Sequence, residues 1–207
     1  SLKDYNFHKL YKELVNFCAL DLSSFYFDIR KDVLYCDSLN SKTRKDCIVV
    51  LNIILDCLIK WFAPILVFTT DEIYSLVCKD TNNIHEYQFT SIPKNFKNPI
   101  LEKKWKELYK IKEKANLAIE EKRASKEIGS SLEAEIKITT SEQNFKLLEN
   151  LNLAEYFITS KAEKFKSKNK DEILIEVKKI SGKKCPRCWK ISDNKCTRCE
   201  KVMSEVI

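Results

Sequence analysis

The sequence predicts a mainly α protein: an antiparallel helix bundle, then a long helix, a small α+β unit and a C-terminal four-cysteine knuckle. Three observations carry this. Glycine occurs twice and proline four times in 207 residues, and so few breakers favour long helices over a many-turned β architecture. Apolar residues recur at helical spacing through most of the first 126 positions, and from Glu135 the spacing changes to alternation. Four of the nine cysteines crowd into positions 185–199. The expected boundaries are 1–90 for the bundle, 91–131 for a linker and long amphipathic helix, 132–180 for the α+β unit and 181–207 for the knuckle.

In the bundle, Phe7, Leu10, Tyr11, Leu14 and Cys18 follow i, i+3, i+4 spacing and form one helical face. Asp21, Ser23 and Ser24 are expected to interrupt or bend that helix, because their side chains compete for backbone hydrogen bonds. Residues 30–41 read as a connection. Ser41 is a candidate N-cap for a helix from Lys42 to about Phe62, with Ile48, Leu51, Ile54 or Leu55, Leu58 and Trp61 or Phe62 on its buried face. Pro64 ends or kinks it. Thr69 or Thr70 is expected to cap a further helix, with Asp71 and Glu72 in its first turn.

Residues 80–99 read as a linker. A long helix over roughly 100–126 follows, its apolar face formed by Leu101, Trp105, Leu108, Ile111 or the stem of Lys112, Ala115, Ala118 and Ile119. Gly129 is placed to take a left-handed conformation after its end. Glu135–Thr139 alternates as a half-buried strand. Phe145, Leu147, Leu148 and Leu151 suit a short helix, Tyr156–Ile158 and Ile173–Val177 suit strands, and Lys161–Lys170 reads as a lysine-rich loop.

No stretch approaches the ~18 apolar residues that a membrane span requires, and SLKDYNFHKL lacks the apolar middle of a signal peptide. Cys18, Cys36, Cys47, Cys57 and Cys78 are scattered through apolar patterns and read as small buried hydrophobes. An odd cysteine total with one tight cluster points to a reducing, cytoplasmic setting with a metal site. Residues 1–90 carry 10 Lys+Arg and 12 Asp+Glu, whereas residues 91–207 carry 27 and 18. The basic second half suits a polyanionic partner such as nucleic acid, or is simply a lysine-rich solvated surface.

The chemistry concentrates in Cys185-Pro-Arg-Cys188-Trp189 and Cys196-Thr-Arg-Cys199. Each CxxC hairpin aims two thiolates at one point, and two hairpins complete a tetrahedron around one zinc ion. A redox dithiol is the alternative for one pair alone. Four thiolates leave no open coordination position, so Cys185, Cys188, Cys196 and Cys199 are expected to hold Zn²⁺ structurally rather than catalytically. The centre carries a formal double negative charge. Lys183, Lys184, Arg187, Lys190, Lys195, Arg198 and Lys201 exceed what would offset it, so some should face an outside anion. Trp189 is either exposed for base stacking or packed over the metal site as the knuckle's own core.

With two glycines there is no phosphate-binding loop of the usual form. His8 and His85 are the only histidines, and neither has an evident nucleophile partner. No catalytic constellation is present in the sequence.

Asp21-Leu-Ser-Ser-Phe-Tyr-Phe-Asp-Ile, Lys31-Asp-Val-Leu-Tyr-Cys-Asp, Ala63-Pro-Ile-Leu-Val-Phe-Thr and Asp71-Glu-Ile-Tyr resemble the anticodon-binding bundle shared by the synthetases for isoleucine, valine, leucine and methionine. Lys126-Glu-Ile-Gly-Ser-Ser-Leu-Glu-Ala and the two CxxC pairs are similar to the C-terminal region of bacterial or organellar isoleucyl-tRNA synthetases. A related finger occurs in some DNA glycosylases, so the finger alone is less specific than the combination. The seven-residue spacer between the pairs is a departure from longer fingers.

The resemblance implies a tRNA(Ile)-recognition region that meets the anticodon arm. In such enzymes the HIGH and KMSKS signatures lie in a catalytic domain that uses ATP, and an editing domain accompanies it. Neither signature occurs here, so the chain is expected to be a monomeric, non-catalytic C-terminal portion of a longer ligase. Arg187, Trp189, Lys190 and Arg198 are the candidate tRNA contacts. A structural bracing module and an independent zinc-finger nucleic-acid-binding protein are the alternatives.

Overall fold

The computed structural model describes residues 4–78, 83–169 and 172–205. The chain divides into two units, one made of Ser1–Asp28 and Leu39–Phe96, the other of Ile29–Ser38 and Lys97–Ile207.

The first unit is helical. Helix α1, Phe7–Asn16, starts where the Asn6 side chain accepts from the Lys9 amide, and it buries Leu10 and Leu14. The expected interruption near Asp21 is instead a widening: Phe17–Phe27 forms a π-helix. Ser24 Oγ donates to the Ala19 carbonyl five residues back at 2.8 Å. The competing hydroxyl is thus absorbed by the wider turn, and the helix does not break.

Helix α2, Asp28–Cys36, follows in the chain, and from Ile29 on it belongs to the second unit. It replaces the connection expected over 30–41, and Ile29, Val33 and Cys36 are its buried positions. Helix α3 runs Lys42–Phe62 with Ser41 as N-cap, as expected, and Pro64 follows its end. Its fully buried positions are Cys47, Cys57 and Ile59, while Ile48 and Leu55 are exposed. Apolar residues lie on several sides of α3, so spacing alone did not select the buried one.

Helix α4, Val67–Cys78, begins before Thr69. Thr70 is buried inside it, and its hydroxyl donates to the Leu66 and Val67 carbonyls. A threonine bonded back along the helix is not a cap, and Asp71 and Glu72 therefore fall outside the first turn. Asp71 instead accepts from the Ile84 amide. Ile84 is buried with Ile59, Ala63 and Tyr74, so the polar segment expected as a linker anchors the helices. Of that segment, residues 80–82 lie outside the described residues.

In the second unit, α5, Pro99–Ala124, is capped by Asn98 and buries Leu108, Ile111, Lys112, Ala115 and Ile119. It ends on Lys126 at φ 59°, and the Glu127 amide reaches back to the Lys122 carbonyl. The left-handed residue is thus Lys126 rather than Gly129, whose amide is engaged by Glu133. Strand β1, Ala134–Thr140, is central. It pairs parallel with β2, Lys161–Lys166, and antiparallel with β3, Ile173–Lys179. Ala134, Ile136, Ile138 and Thr140 are fully buried, the period-2 pattern of a one-sided core, and α5 packs on β3.

Two expectations change here. Part of the lysine-rich loop is the edge strand β2, where charged side chains are compatible with one solvated edge; Lys170 lies outside the described residues. The run around Tyr156 is a short helix α7, Leu153–Tyr156, capped by Asn152, after helix α6, Glu142–Leu147. Tyr156 and Phe157 are buried, which explains an apolar signal without a strand. Among the described residues, no helix is long and apolar enough to cross a membrane.

Candidate metal centre

The cysteines sit on two turns of the second unit. The first turn joins β4, Lys183–Lys184, to β5, Ile191–Ser192, in a small antiparallel hairpin. It closes through Cys185 N–H to the Lys190 carbonyl at 2.9 Å and Trp189 N–H to the Cys185 carbonyl at 3.0 Å. Trp189 adopts φ 65° to make this reversal. Gly182 precedes the hairpin at φ 130°, and a Cβ there would lie 2.6 Å from the Ser192 backbone, so the close approach requires glycine. The second turn is the start of helix α8, Thr197–Ser204, with Cys196 at its N-cap and Cys199 in its first turn.

The four sulfurs lie within 4.8 Å of one another, and those of Cys188 and Cys196 are 3.8 Å apart. That is far longer than a disulfide, and all nine cysteines are free. A metal–sulfur bond of ~2.3 Å in a tetrahedron puts sulfurs about 3.8 Å apart. The donor set therefore fits a metal ion of zinc type, and among the described residues this is the one such cluster of ligating side chains.

Burial opposes ionisation of Cys185, but the Cys188 and Arg187 amides outweigh it and bring that thiol down to about 7. Burial and the neighbouring sulfurs push Cys199 up to about 12. Crowded thiols that cannot all ionise together are what a divalent cation would relieve.

The cations around the cysteines are not arranged alike. Arg187 donates to the carbonyls of Cys36 at 2.6 Å and Tyr35 at 3.2 Å, at the C-terminal end of α2. Arg198 forms a two-pronged pair with Asp32, both bonds 2.8 Å, and reaches Asp37 at 3.3 Å. Lys190 lies 3.3 Å from the same Asp32 carboxylate. Burial raises the pKa of Asp32, yet Arg198 and Lys190 outweigh it, and the net shift is downward. Three of the four residues put forward as tRNA contacts thus engage α2. Trp189 is the open one, 60% exposed, with Lys184 Nζ 5.5 Å from its ring centre. Lys183, Lys184, Lys195 and Lys201 are also exposed.

Asp32, Cys36 and Asp37 are the residues that reading the sequence for chemistry passed over. Cys36 is buried in one cluster with Cys188 and Cys199, against which Cys185 and Cys196 pack, and its thiol lies 3.7 Å from the Arg187 carbonyl. The spacing of Asp32 and Cys36 at i, i+4 was the available signal, since it puts both on one helical face. The polar look of 30–41, which suits a connection, masks it. A second tether holds the hairpin to the sheet: Ser160 Oγ accepts from the Ile191 amide at 2.7 Å and donates to the Leu132 carbonyl.

A helical first unit and a cysteine-bearing second unit are the frame in which the comparisons fall. Residues 1–138 match the family described as the anticodon-binding domain of tRNA ligase, and the chain belongs to that family. The similar curated proteins are isoleucine–tRNA ligases. That of Pelagibacter ubique (strain HTCC1062) is 57% identical over 188 residues, 91% of this chain and 21% of the relative. Those of Agrobacterium fabrum and Methylacidiphilum infernorum are 36% identical over 196 residues and 40% identical over 188, covering 90% and 91% of the chain and 20% of each relative. The chain thus spans about a fifth of the length of these relatives.

Proposed function

We propose that the chain is the tRNA(Ile)-recognition region of an isoleucine–tRNA ligase, a cytoplasmic and monomeric enzyme that joins isoleucine to its tRNA at the expense of ATP. The anticodon-binding match over residues 1–138 is the observation that carries this reading. In it, residues 1–90 form an antiparallel anticodon-binding bundle, 91–131 a linker and long helix, 132–180 a small α+β unit and 181–207 a zinc finger. The chemistry belongs to catalytic and editing domains elsewhere in the enzyme, and this region contributes binding and orientation alone.

Cys185, Cys188, Cys196 and Cys199 hold one Zn²⁺, which when bound supplies a closed cross-link without an open coordination position. Trp189 provides a stacking platform for an unpaired base, and the exposed Lys183, Lys184, Lys195 and Lys201 supply phosphate contacts that weaken with salt. Arg187, Lys190 and Arg198 contribute to tRNA binding by fixing the turn that carries Trp189. This division unites the recognition and bracing readings, and the observed ties of those three side chains to α2 favour it.

The test is a binding comparison between isoleucine tRNA and the same tRNA with a changed anticodon. Preference for the unaltered tRNA, reduced by Trp189→Ala, is the expected result. Equal affinity for both would remove the recognition role.

A further inference from the structure

We propose that Asp32 is a positioning residue for the metal centre: it ties the two cysteine turns together through Lys190 and Arg198, and thereby sets how firmly the knuckle retains its ion. This rests on the reading of the four cysteines as a metal site.

Asp32 engages a cation from each turn. Lys190 follows the first CxxC pair and lies 3.3 Å from Asp32 Oδ2. Arg198 lies inside the second pair and grips both Asp32 oxygens at 2.8 Å. The Cys188 sulfur, a ligand from the opposite turn, is near enough to add to the electrostatic hold on the Arg198 guanidinium. One planar fork thus fixes a residue between two candidate ligands to a carboxylate on α2, a two-pronged geometry that arginine supports and lysine does not. The Asp32 side chain is 19% exposed and that of Arg198 34% exposed, so water competes only in part.

Asp32 is well placed rather than incidentally near. Cys36, one turn further along α2, packs against the cysteine cluster. Arg187 binds the end of the same helix, and Ser38 donates to Glu205 just beyond α8 at 2.5 Å. α2 is therefore a rigid floor under both turns. A carboxylate so close to a negatively charged sulfur cluster would repel it without the intervening guanidinium. Asp32 and Arg198 act as a pair: the carboxylate fixes where the guanidinium charge sits beside the cysteines. Partners in this outer layer commonly alter metal affinity by about 10- to 100-fold when removed.

The experiment measures zinc transfer from the full chain to a chromophoric chelator, with zinc content determined first. About one zinc per wild-type chain upholds the metal reading; a metal-free wild type with reduced thiols sinks that reading and this proposal with it, whereas the variants below test this proposal alone. Given loaded protein, Asp32→Asn is expected to speed transfer about tenfold or more, and Arg198→Lys to do likewise. The double variant should be no faster than the quicker single one, because the two act as a unit. In the cobalt-substituted protein, Asp32→Asn should shift the sulfur-to-cobalt absorption band, which a purely structural role would leave in place. Asp32→Glu keeps the charge, serves if Asp32→Asn does not fold, and should transfer at an intermediate rate. Transfer within twofold of wild type together with an unmoved cobalt band, or additive effects in the double variant, overturns the proposal.

Discussion

Arg187 and Cys36 hold each other through two contacts that run in opposite directions. The guanidinium donates to the Cys36 carbonyl at 2.6 Å, and the Cys36 thiol donates to the Arg187 carbonyl at 3.7 Å. The first satisfies an unpaired carbonyl at the end of α2 with a cation, where the helix dipole favours positive charge. The second fixes the backbone between two candidate ligands.

Arg187→Ala is therefore expected to cost about 1.5–3 kcal/mol, the range for hydrogen bonds from a charged donor. Arg187→Lys should recover little, because a single ammonium cannot reach two carbonyls in the same fork. Urea unfolding of the loaded protein checks this. Equal midpoints for wild type and Arg187→Ala would show that the cation is solvated instead.

Trp189 should behave in the opposite way. It is mostly exposed, and its φ of 65° is strained for a bulky side chain. Trp189→Ala should leave unfolding within about 0.5 kcal/mol of wild type while weakening tRNA binding by about 1–3 kcal/mol, the worth of one stacked base. Trp189→Gly should weaken binding equally and raise stability by up to about 1 kcal/mol by relieving the left-handed backbone. Paired melting and tRNA titration separate these effects from those of Arg187.

How far the sequence could be read follows from where its signals were local. Ser41, Pro64, the face of α5 from Leu108 to Ile119 and the alternation of β1 are set by neighbours a few positions away, and each was legible. So was the grouping of the four cysteines, whose sulfurs the fold brings within 4.8 Å of one another. α2 was not, because Lys31, Asp32 and Asp37 make 30–41 look polar. The partners of Asp32 and Asp37, namely Lys190 and Arg198, are more than 150 positions further on. β2 was hidden for a similar reason: Lys161 is partnered by Glu135, far from it in the sequence. Charged residues read as solvated wherever their counter-ions are remote in the chain.

Gly182 offers a sharper test of the hairpin. A methyl group there meets the Ser192 carbonyl carbon and oxygen at 2.6 Å, and both are backbone atoms that cannot swing aside. Gly182→Ala should cost about 1–3 kcal/mol through left-handed strain alone, with the clash added. The loss should be read as earlier unfolding and faster zinc release. Gly129→Ala is the control. Its nearest neighbour is the flexible Glu133 carboxylate at 3.2 Å, and its φ is unexceptional, so it should change little.

The first unit contributes a pH dependence of its own. Burial raises the pKa of Asp56, but hydrogen bonds from Lys60 and Thr90 outweigh it, and the folded carboxyl titrates below its ordinary value of 3.8. The folded state therefore binds this proton less readily than the unfolded chain. The stabilisation is complete above the unfolded pKa and disappears as pH falls through the folded one. The Asp56 side chain is 43% exposed, so solvent screening keeps the contribution below about 1 kcal/mol. Asp56→Asn should lower stability at about pH 6 and converge on wild type near about pH 2. A constant difference across that range would assign the effect to packing.

If the four cysteines hold a metal ion as proposed, its removal should reach beyond them. The knuckle's own apolar core is small: Cys188, Cys199 and Val202 are its buried hydrophobic residues. Four reduced thiols within 4.8 Å have little else to hold them together. Chelation should therefore release β4, β5 and α8, as in small domains whose folding energy is largely metal binding. α2 should loosen with them, because Arg187, Lys190, Arg198 and Cys36 tie that helix to the two turns. The sheet should not follow, since Ile136 and Ile138 are covered independently of the cysteines and α5 packs on β3. Amide hydrogen exchange with and without chelator distinguishes the cases. Protection should fall over 183–204 and over 29–36 while β1 stays protected. Unchanged protection in α2 would mean that the helix is held by its Arg30–Glu155 pair, 2.7 Å long, and not by the metal centre.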